Sequence, residues 1–114
     1  MKRICVYLGS NSGFDPAYAE TTEALALELG KRDIGLVYGG SNVGLMGRIA
    51  NTCLAAGGEI IGVIHKLLEK KELAHTGLTK SYTVKSMHER KQIMADLSDG
   101  FIALPGGLGT LGKR

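Results

Sequence analysis

Gly100-Phe-Ile-Ala-Leu104 is followed directly by Pro105-Gly106-Gly107-Leu108-Gly109-Thr110, so an apolar run passes straight into a glycine-rich turn. A short apolar run bounded by such a turn is typical of a buried strand. Glycines permit positive φ and close approach, so successive N–H groups can point at one anion, and a helix beginning near Thr110 would add its dipole. The stretch predicts an anion site at the end of a buried strand.

The same order occurs twice more in the chain. Ile4 to Leu8 runs into Gly9-Ser10-Asn11-Ser12-Gly13, and Ile34 to Tyr38 runs into Gly39-Gly40-Ser41-Asn42. Ligands of open parallel sheets bind at the carboxyl ends of the strands. We therefore expect all the glycine turns to lie at one edge, with Ser10 donating a hydrogen bond to the ligand and Gly39 and Gly40 lining it.

Periodicity and capping residues predict the remaining elements. Further strands are expected at Ile60 to Ile64 and at Tyr82 to Val84. Helices are expected from Pro16 to about Leu29, with a stop at Gly30, from Val43 to Ala56, and from a Ser86 cap to about Leu97. The stretch 65–80 is expected to form one short helix and a loop. Apolar strands alternating with helices predict an α/β fold, a Rossmann-like doubly wound parallel sheet with helices on both faces. Residues 1–114 are expected to form a single nucleotide-binding domain.

Composition and residue spacing argue against several classes of function. The net charge is +3, but the basic residues are scattered and aromatic residues are only 5%, so nucleic acid is not expected as a partner. No apolar run is long enough for a membrane span or a signal peptide. Cys5 and Cys53 are expected to be reduced core thiols, and His65, His75 and His88 lack metal-ligand spacing and are interpreted as surface residues. These features indicate a cytoplasmic protein without a metal site.

Arg90 stands out among the charged residues. The helix opened by the Ser86-Met-His-Glu89 capping box carries Arg90 within an otherwise apolar stripe. A guanidinium there favours an anionic ligand; the alternatives are that Arg90 extends to solvent or pairs with Asp99. Lys91 points about 100° away and is equivocal.

The second glycine turn continues into Val43-Gly44-Leu45-Met46-Gly47, which matches neither the G-x-G-x-x-G spacing of dinucleotide sites nor a P-loop. Binding of NAD and hydrolysis of ATP therefore lose support. Gly44 and Gly47 either line a ligand or allow tight helix packing, and both interpretations stay open.

Taken together, Ser86-Met-His-Glu-Arg-Lys91, the Leu97 to Thr110 stretch and the Gly39 to Gly47 stretch resemble the Lonely Guy family. Its members are cytokinin riboside 5′-monophosphate phosphoribohydrolases, often misnamed lysine decarboxylases. The resemblance implies hydrolysis of the N-glycosidic bond of a nucleoside 5′-monophosphate, AMP or N6-prenyl-AMP, to the free base and ribose 5-phosphate. It also implies a cytoplasmic homodimer with sites near the subunit interface and no cofactor or metal.

The resemblance further assigns individual residues. Arg90 and Lys91 would bind substrate, with Arg90 catalytic, and Glu72 would also contact substrate. The phosphate would be held by Gly107, Leu108, Gly109 and Thr110.

The chain departs from the family pattern P-G-G-x-G-T-x-x-E, because Lys113 occupies the position of the catalytic Glu and Gly112 that of an acidic residue. His65 stands where the family commonly has Pro. Loss of one charge-stabilising group costs about 10²- to 10³-fold in rate, so this exact chain is expected to be nearly inactive. Further strands and helices are expected to follow Arg114. The alternative function is a non-catalytic binder of a nucleotide or phosphorylated cofactor, like the molybdenum-cofactor carriers, whose fold is similar.

Overall fold

The described residues form a five-stranded parallel sheet with helices on both faces. A computed structural model describes residues 2–8, 16–71 and 73–104. In chain order the elements are β1 (Arg3–Tyr7), α1 (Pro16–Lys31), β2 (Gly35–Tyr38), α2 (Gly44–Ala55), β3 (Ile60–His65), α3 (Lys66–Lys70), β4 (Lys80–Val84), α4 (Met87–Leu97) and β5 (Gly100–Ala103). The strand order is β4-β3-β2-β1-β5, and every neighbouring pair is parallel. The predicted fold class is confirmed.

Alternation along the strands separates two layers of core. On β2, Leu36 and Tyr38 face α1 and α2, whereas Val37 faces α4. The first layer includes Ala26 and Leu29 of α1, and the second includes Met94 of α4. Because both faces of the central strands are covered, these strands are apolar throughout.

The two cysteines confirm the prediction of core thiols. Cys5 and Cys53 are free and fully buried, Cys5 under α4 and Cys53 on the opposite side of the sheet. Burial raises the pKa of both thiols. They are therefore protonated core residues at neutral pH.

The end of α1 differs from the prediction. Gly30 does not end the helix, which continues to Lys31; Asp33 adopts φ 58°, and the Ile34 N–H donates to the Leu29 carbonyl at 2.9 Å. This is a Schellman motif with Asp at the left-handed position that usually carries glycine. Gly30 is instead a packing contact, because a Cβ there would lie 2.8 Å from the Ala56 Cβ at the end of α2.

Among the described residues, no helix combines the length and apolar character that crossing a bilayer requires.

Candidate functional site

The strand order creates a switch point between β1 and β5. From β1 the chain proceeds outward through β2, β3 and β4, and then returns to place β5 on the other side of β1. Tyr7 pairs with Ala103, and the Leu104 N–H donates to the Tyr7 carbonyl at 3.0 Å, so β1 and β5 end level with each other. Ligands of doubly wound folds bind in the crevice at such a point. The three predicted glycine turns follow β1, β2 and β5, which are adjacent strands.

Arg90 of α4 reaches this carboxyl edge of the sheet. Its Nε donates to the Val63 carbonyl at 2.8 Å, and its Nη2 donates to the Gly39 carbonyl at 2.9 Å. The guanidinium thus bridges the ends of β2 and β3 and keeps further N–H groups for another partner. The alternative partner proposed from sequence, Asp99, is wrong, because its carboxylate accepts the backbone N–H groups of Lys2 and Arg3 instead.

The described side chains around Arg90 do not compensate its charge. Burial lowers the pKa of Arg90, and Cys5 and Tyr7 partly oppose that shift. Burial also raises the pKa of both of these neighbours, so they are neutral at physiological pH. The ion pairs found in the described part of the chain do not involve Arg90. Because arginine stays charged in proteins, the described part of the site has a net positive charge that suits an anion.

A cavity of about 160 Å³ lies beside the guanidinium. It is lined by the end of β1, by Met46, Met87 and Met94, and by Gly39, Arg90 and Lys91. Methionine side chains give an adaptable apolar wall. The cavity therefore combines an apolar wall with cationic groups, as a nucleotide base and its phosphate require.

Gly39 makes the position of Arg90 possible. A Cβ at Gly39 would overlap Arg90 Nη2 and lie 3.2 Å from the Met46 sulfur. Gly40 has φ +82° and is buried against β3, where a Cβ on Gly62 would lie 2.8 Å from the Gly40 Cα. Gly39 thus lines the Arg90 cavity, and Gly40 lies directly behind it.

The two glycines left open in the sequence have different roles. A Cβ at Gly47 would overlap the Asn42 carbonyl oxygen, so this glycine lets the first turn of α2 pack on the preceding backbone. Gly44 has φ +61° and faces a separate polar hollow between α1 and α2. Neither glycine lines the Arg90 cavity.

The capping box is present in a modified form. The Glu89 N–H donates to Ser86 Oγ at 3.1 Å, and the Glu89 carboxylate accepts the N–H of Lys85 at 3.0 Å rather than that of Ser86. This supports the interpretation of Glu89 as a structural residue.

Several predicted site residues lie outside the described residues. They are Ser10, Glu72, Gly107, Leu108, Gly109 and Thr110, and the same holds for Lys113. Of the predicted set, the structure brings together Gly39, Arg90 and Lys91.

Sequence reasoning missed the Val63 carbonyl, the Met46 wall and the roles of two histidines. His65 Nδ1 accepts the Leu67 N–H at 3.1 Å and caps α3. His75 is bonded at both ring nitrogens, to Asn51 and Gly77. Both histidines accept from the residue two positions later, an arrangement known for Asn and Asp that sequence analysis does not usually seek for His. Among the described residues, no group of three or more potential ligands could hold a metal ion.

Comparison with known proteins supports the family resemblance. Residues 46–113 match a family model described as "Possible lysine decarboxylase". The chain is 46% identical over 110 residues to the cytokinin riboside 5′-monophosphate phosphoribohydrolase LOG5 of Arabidopsis thaliana, covering 96% of this chain and 48% of that protein. It is 44% identical over 110 residues to the cytokinin riboside 5′-monophosphate phosphoribohydrolase of Rhodococcoides fascians, covering 96% and 56%. The chain thus spans about half the length of these curated relatives.

Solved structures support the fold. A molybdenum cofactor binding protein from Rippkaea orientalis superposes with a TM-score of 0.77 at 24% identity, covering 99% of this chain and 68% of that one. A molybdenum cofactor carrier protein from Chlamydomonas reinhardtii gives a TM-score of 0.76 at 20% identity, covering 96% and 65%. At these identities the likeness establishes the architecture alone.

Proposed function

The chain belongs to the Lonely Guy family, to which the "Possible lysine decarboxylase" model corresponds, and we propose that it serves hydrolysis of the N-glycosidic bond of a nucleoside 5′-monophosphate. The products are the free base and ribose 5-phosphate, and the substrate is AMP or N6-prenyl-AMP. The observation that carries the proposal is Arg90, a half-buried cation without a carboxylate partner among the described residues, held at the switch-point edge beside an apolar cavity.

The described residues supply positioning and charge. The positive charge of Arg90 and Lys91 attracts the nucleotide anion, and the methionine wall excludes water from one side of the bound molecule. Cleavage of a glycosidic bond passes through an oxocarbenium-like transition state, which a carboxylate stabilises. The resemblance assigns that carboxylate to the position that Lys113 occupies here, and it assigns the phosphate to Gly107 through Thr110.

We also propose a cytoplasmic homodimer, which rests on the family resemblance. Sedimentation of the purified protein tests the assembly.

The function is tested by incubating the protein with AMP, N6-prenyl-AMP and adenosine, and separating free base from nucleotide by chromatography. Because Lys113 occupies the position of the catalytic carboxylate, only slow release of base from the monophosphates is expected, and none from adenosine, which lacks the anion. The same substrates are given to Lys113→Glu, so that weak activity is not mistaken for absence of the reaction. Failure of both proteins to release base from either monophosphate would refute the hydrolase.

Lys113 motivates one alternative, a protein that binds a nucleotide or a phosphorylated cofactor without turnover. It is favoured if AMP binds in calorimetry with equal affinity to both proteins and neither releases base. If AMP does not bind to either protein, the hydrolase and the nucleotide-binding alternative are both refuted.

A further inference from the structure

The segment Leu73–Gly77 lies along the glycine turn that follows β2. The Asn42 N–H donates to the Leu73 carbonyl at 2.8 Å, and the His75 N–H donates to the Gly40 carbonyl at 3.0 Å. The residues between these bonds form an antiparallel bridge. The segment thus makes one isolated antiparallel bridge, and its hydrogen bonds hold the carbonyl of Gly40.

The ring of His75 holds this segment in place from both sides. The Gly77 N–H donates to His75 Nδ1 at 2.9 Å, and His75 Nε2 lies 2.7 Å from Asn51 Oδ1 of α2. A backbone N–H can only donate, so Nδ1 is unprotonated and the proton resides on Nε2, which donates to Asn51. The bond to Gly77 requires an unprotonated Nδ1, because a proton there would point at the Gly77 N–H, whereas the bond to Asn51 is kept in either state of the ring.

The turn connects this ring to Arg90. Gly40 follows Gly39, whose carbonyl accepts Arg90 Nη2, and its backbone is in close contact with β3 at Gly62. Rotation of the peptide between Gly39 and Gly40 is therefore restricted as long as the Leu73–Gly77 segment holds Gly40. Rotation of that peptide would move the carbonyl on which the guanidinium depends.

We propose that neutral His75 is a positioning residue for the Arg90 site, holding the glycine turn so that the Gly39 carbonyl orients the guanidinium. Protonation of Nδ1 breaks the bond to the Gly77 N–H, which loosens the Leu73–Gly77 segment and with it that orientation. The effect on substrate rests on the proposed function, whereas the effect on Arg90 does not.

Among the described residues, the charged groups near His75 are engaged with other partners. Arg48, one turn before Asn51 on α2, is paired with Glu23 of α1 at 2.8 Å, and both residues line the polar hollow that also contains Asn51. The ion pairs in the described ranges do not include His75. Along the sequence the nearest charged residues are Glu72, which lies outside the described residues, and Lys71.

The first measurement uses the folded protein without substrate. Nitrogen-15 NMR of the His75 ring reports the tautomer, and the Arg90 Nε–H signal reports the bond to Val63. We expect the Nε2–H tautomer in the neutral ring, and faster exchange of the Gly77 N–H and the Arg90 Nε–H over the pH range in which the ring becomes protonated. Binding of AMP over the same pH range is expected to weaken about tenfold, the loss of roughly one hydrogen bond to a charged group.

Three variants separate His75 from other titrating groups. His75→Asn keeps an acceptor for the Gly77 N–H without a titrating ring, so the Arg90 signal becomes independent of pH in this range. Asn51→Asp places a carboxylate at Nε2, which favours the protonated ring and moves the transition to higher pH. His65→Asn is the matched control, because His65 makes the same contact with Leu67 at the start of α3, and the transition should persist.

The proposal is overturned if the ring carries its proton on Nδ1, if the transition survives in His75→Asn, or if it disappears in His65→Asn. If the Arg90 signal follows the expected pattern but AMP neither binds nor reacts, the proposed function fails and the positioning role stands. If AMP is hydrolysed without dependence on His75, the positioning role fails and the function stands.

Discussion

Gly39→Ala adds one methyl group where β2 ends, in the space that Arg90 Nη2 occupies. Gly39 is not among the residues with positive φ, so alanine introduces no backbone strain. The overlap is therefore relieved by movement of the neighbouring side chains. The flexible guanidinium can move away, whereas the Met46 sulfur, 3.2 Å from the added carbon, needs to yield only slightly.

The cost follows from the two bonds that the guanidinium makes. A hydrogen bond to a charged group contributes about 1.5 to 3 kcal/mol, and Arg90 donates to the carbonyls of Gly39 and Val63. Arg90 is half-buried, so displacement toward solvent replaces part of this energy with hydration. We expect stability to fall by about 1 to 2 kcal/mol. Affinity for AMP should fall about 10- to 100-fold, because the cation is no longer directed into the cavity.

Calorimetric titration with AMP and urea unfolding of the same preparations test this expectation. Gly57→Ala is the matched control, because Gly57 has φ +81° at the end of α2 and a Cβ there meets no atom within 4 Å. That variant should lose about 1 to 2 kcal/mol of stability through backbone strain alone and keep its AMP affinity. Wild-type affinity in Gly39→Ala, or equal loss of affinity in both variants, would refute the reasoning.

Three further changes are predicted. Lys113→Glu should raise the rate of adenine release about 10²- to 10³-fold in a chromatographic assay, by restoring a carboxylate for the oxocarbenium-like transition state, and an unchanged rate would favour a binding protein. Asp33→Gly should increase the free energy of unfolding in urea by about 1 kcal/mol, because φ 58° suits glycine better, and a decrease would contradict the cap assignment. The backbone N–H groups of Lys2 and Arg3 hold the pKa of Asp99 below its ordinary value. The Asp99 carboxylate therefore stabilises the fold at pH values above the ordinary pKa, and this stabilisation is lost as the pH falls through the lower pKa of the folded state. Asp99→Asn should flatten this acid decline in urea unfolding measured against pH, and an undiminished decline would assign it to other groups.

The elements were predictable because their signals are local. Apolar runs ended by glycines marked the strands, and Ser86 marked the start of α4. The end of α1 was not predictable in the same way, because Gly30 looks like a helix stop but serves contact with Ala56 on another helix. A glycine required for packing and a glycine required for a turn are identical in sequence, and only the tertiary neighbour distinguishes them.

The part of the candidate site that could be predicted is the part marked by residue type in the sequence. The apolar stripe around Arg90 indicated an inward-facing cation, and the glycine turn indicated Gly39. The connection between them was hidden, because the acceptors are backbone carbonyls 51 and 27 positions earlier in the chain, and every residue type has such a carbonyl. Val63 could not have been selected from sequence for this reason.

The hydrogen-bond partners of Arg90 help to explain why this position has a charged side chain. Two neutral carbonyls orient a guanidinium but do not cancel its charge, while burial disfavours that charge and lowers its pKa. A purely structural bridge between β2 and β3 would be as well served by a neutral donor, without the cost of removing a charge from water. Under the proposed function, the charge is used in the bound state, where an anion in the cavity gains an oriented partner and the arginine gains the counter-charge that the described residues do not supply. On this reasoning the carbonyls set the direction of the guanidinium, the ligand compensates its charge, and affinity depends on both.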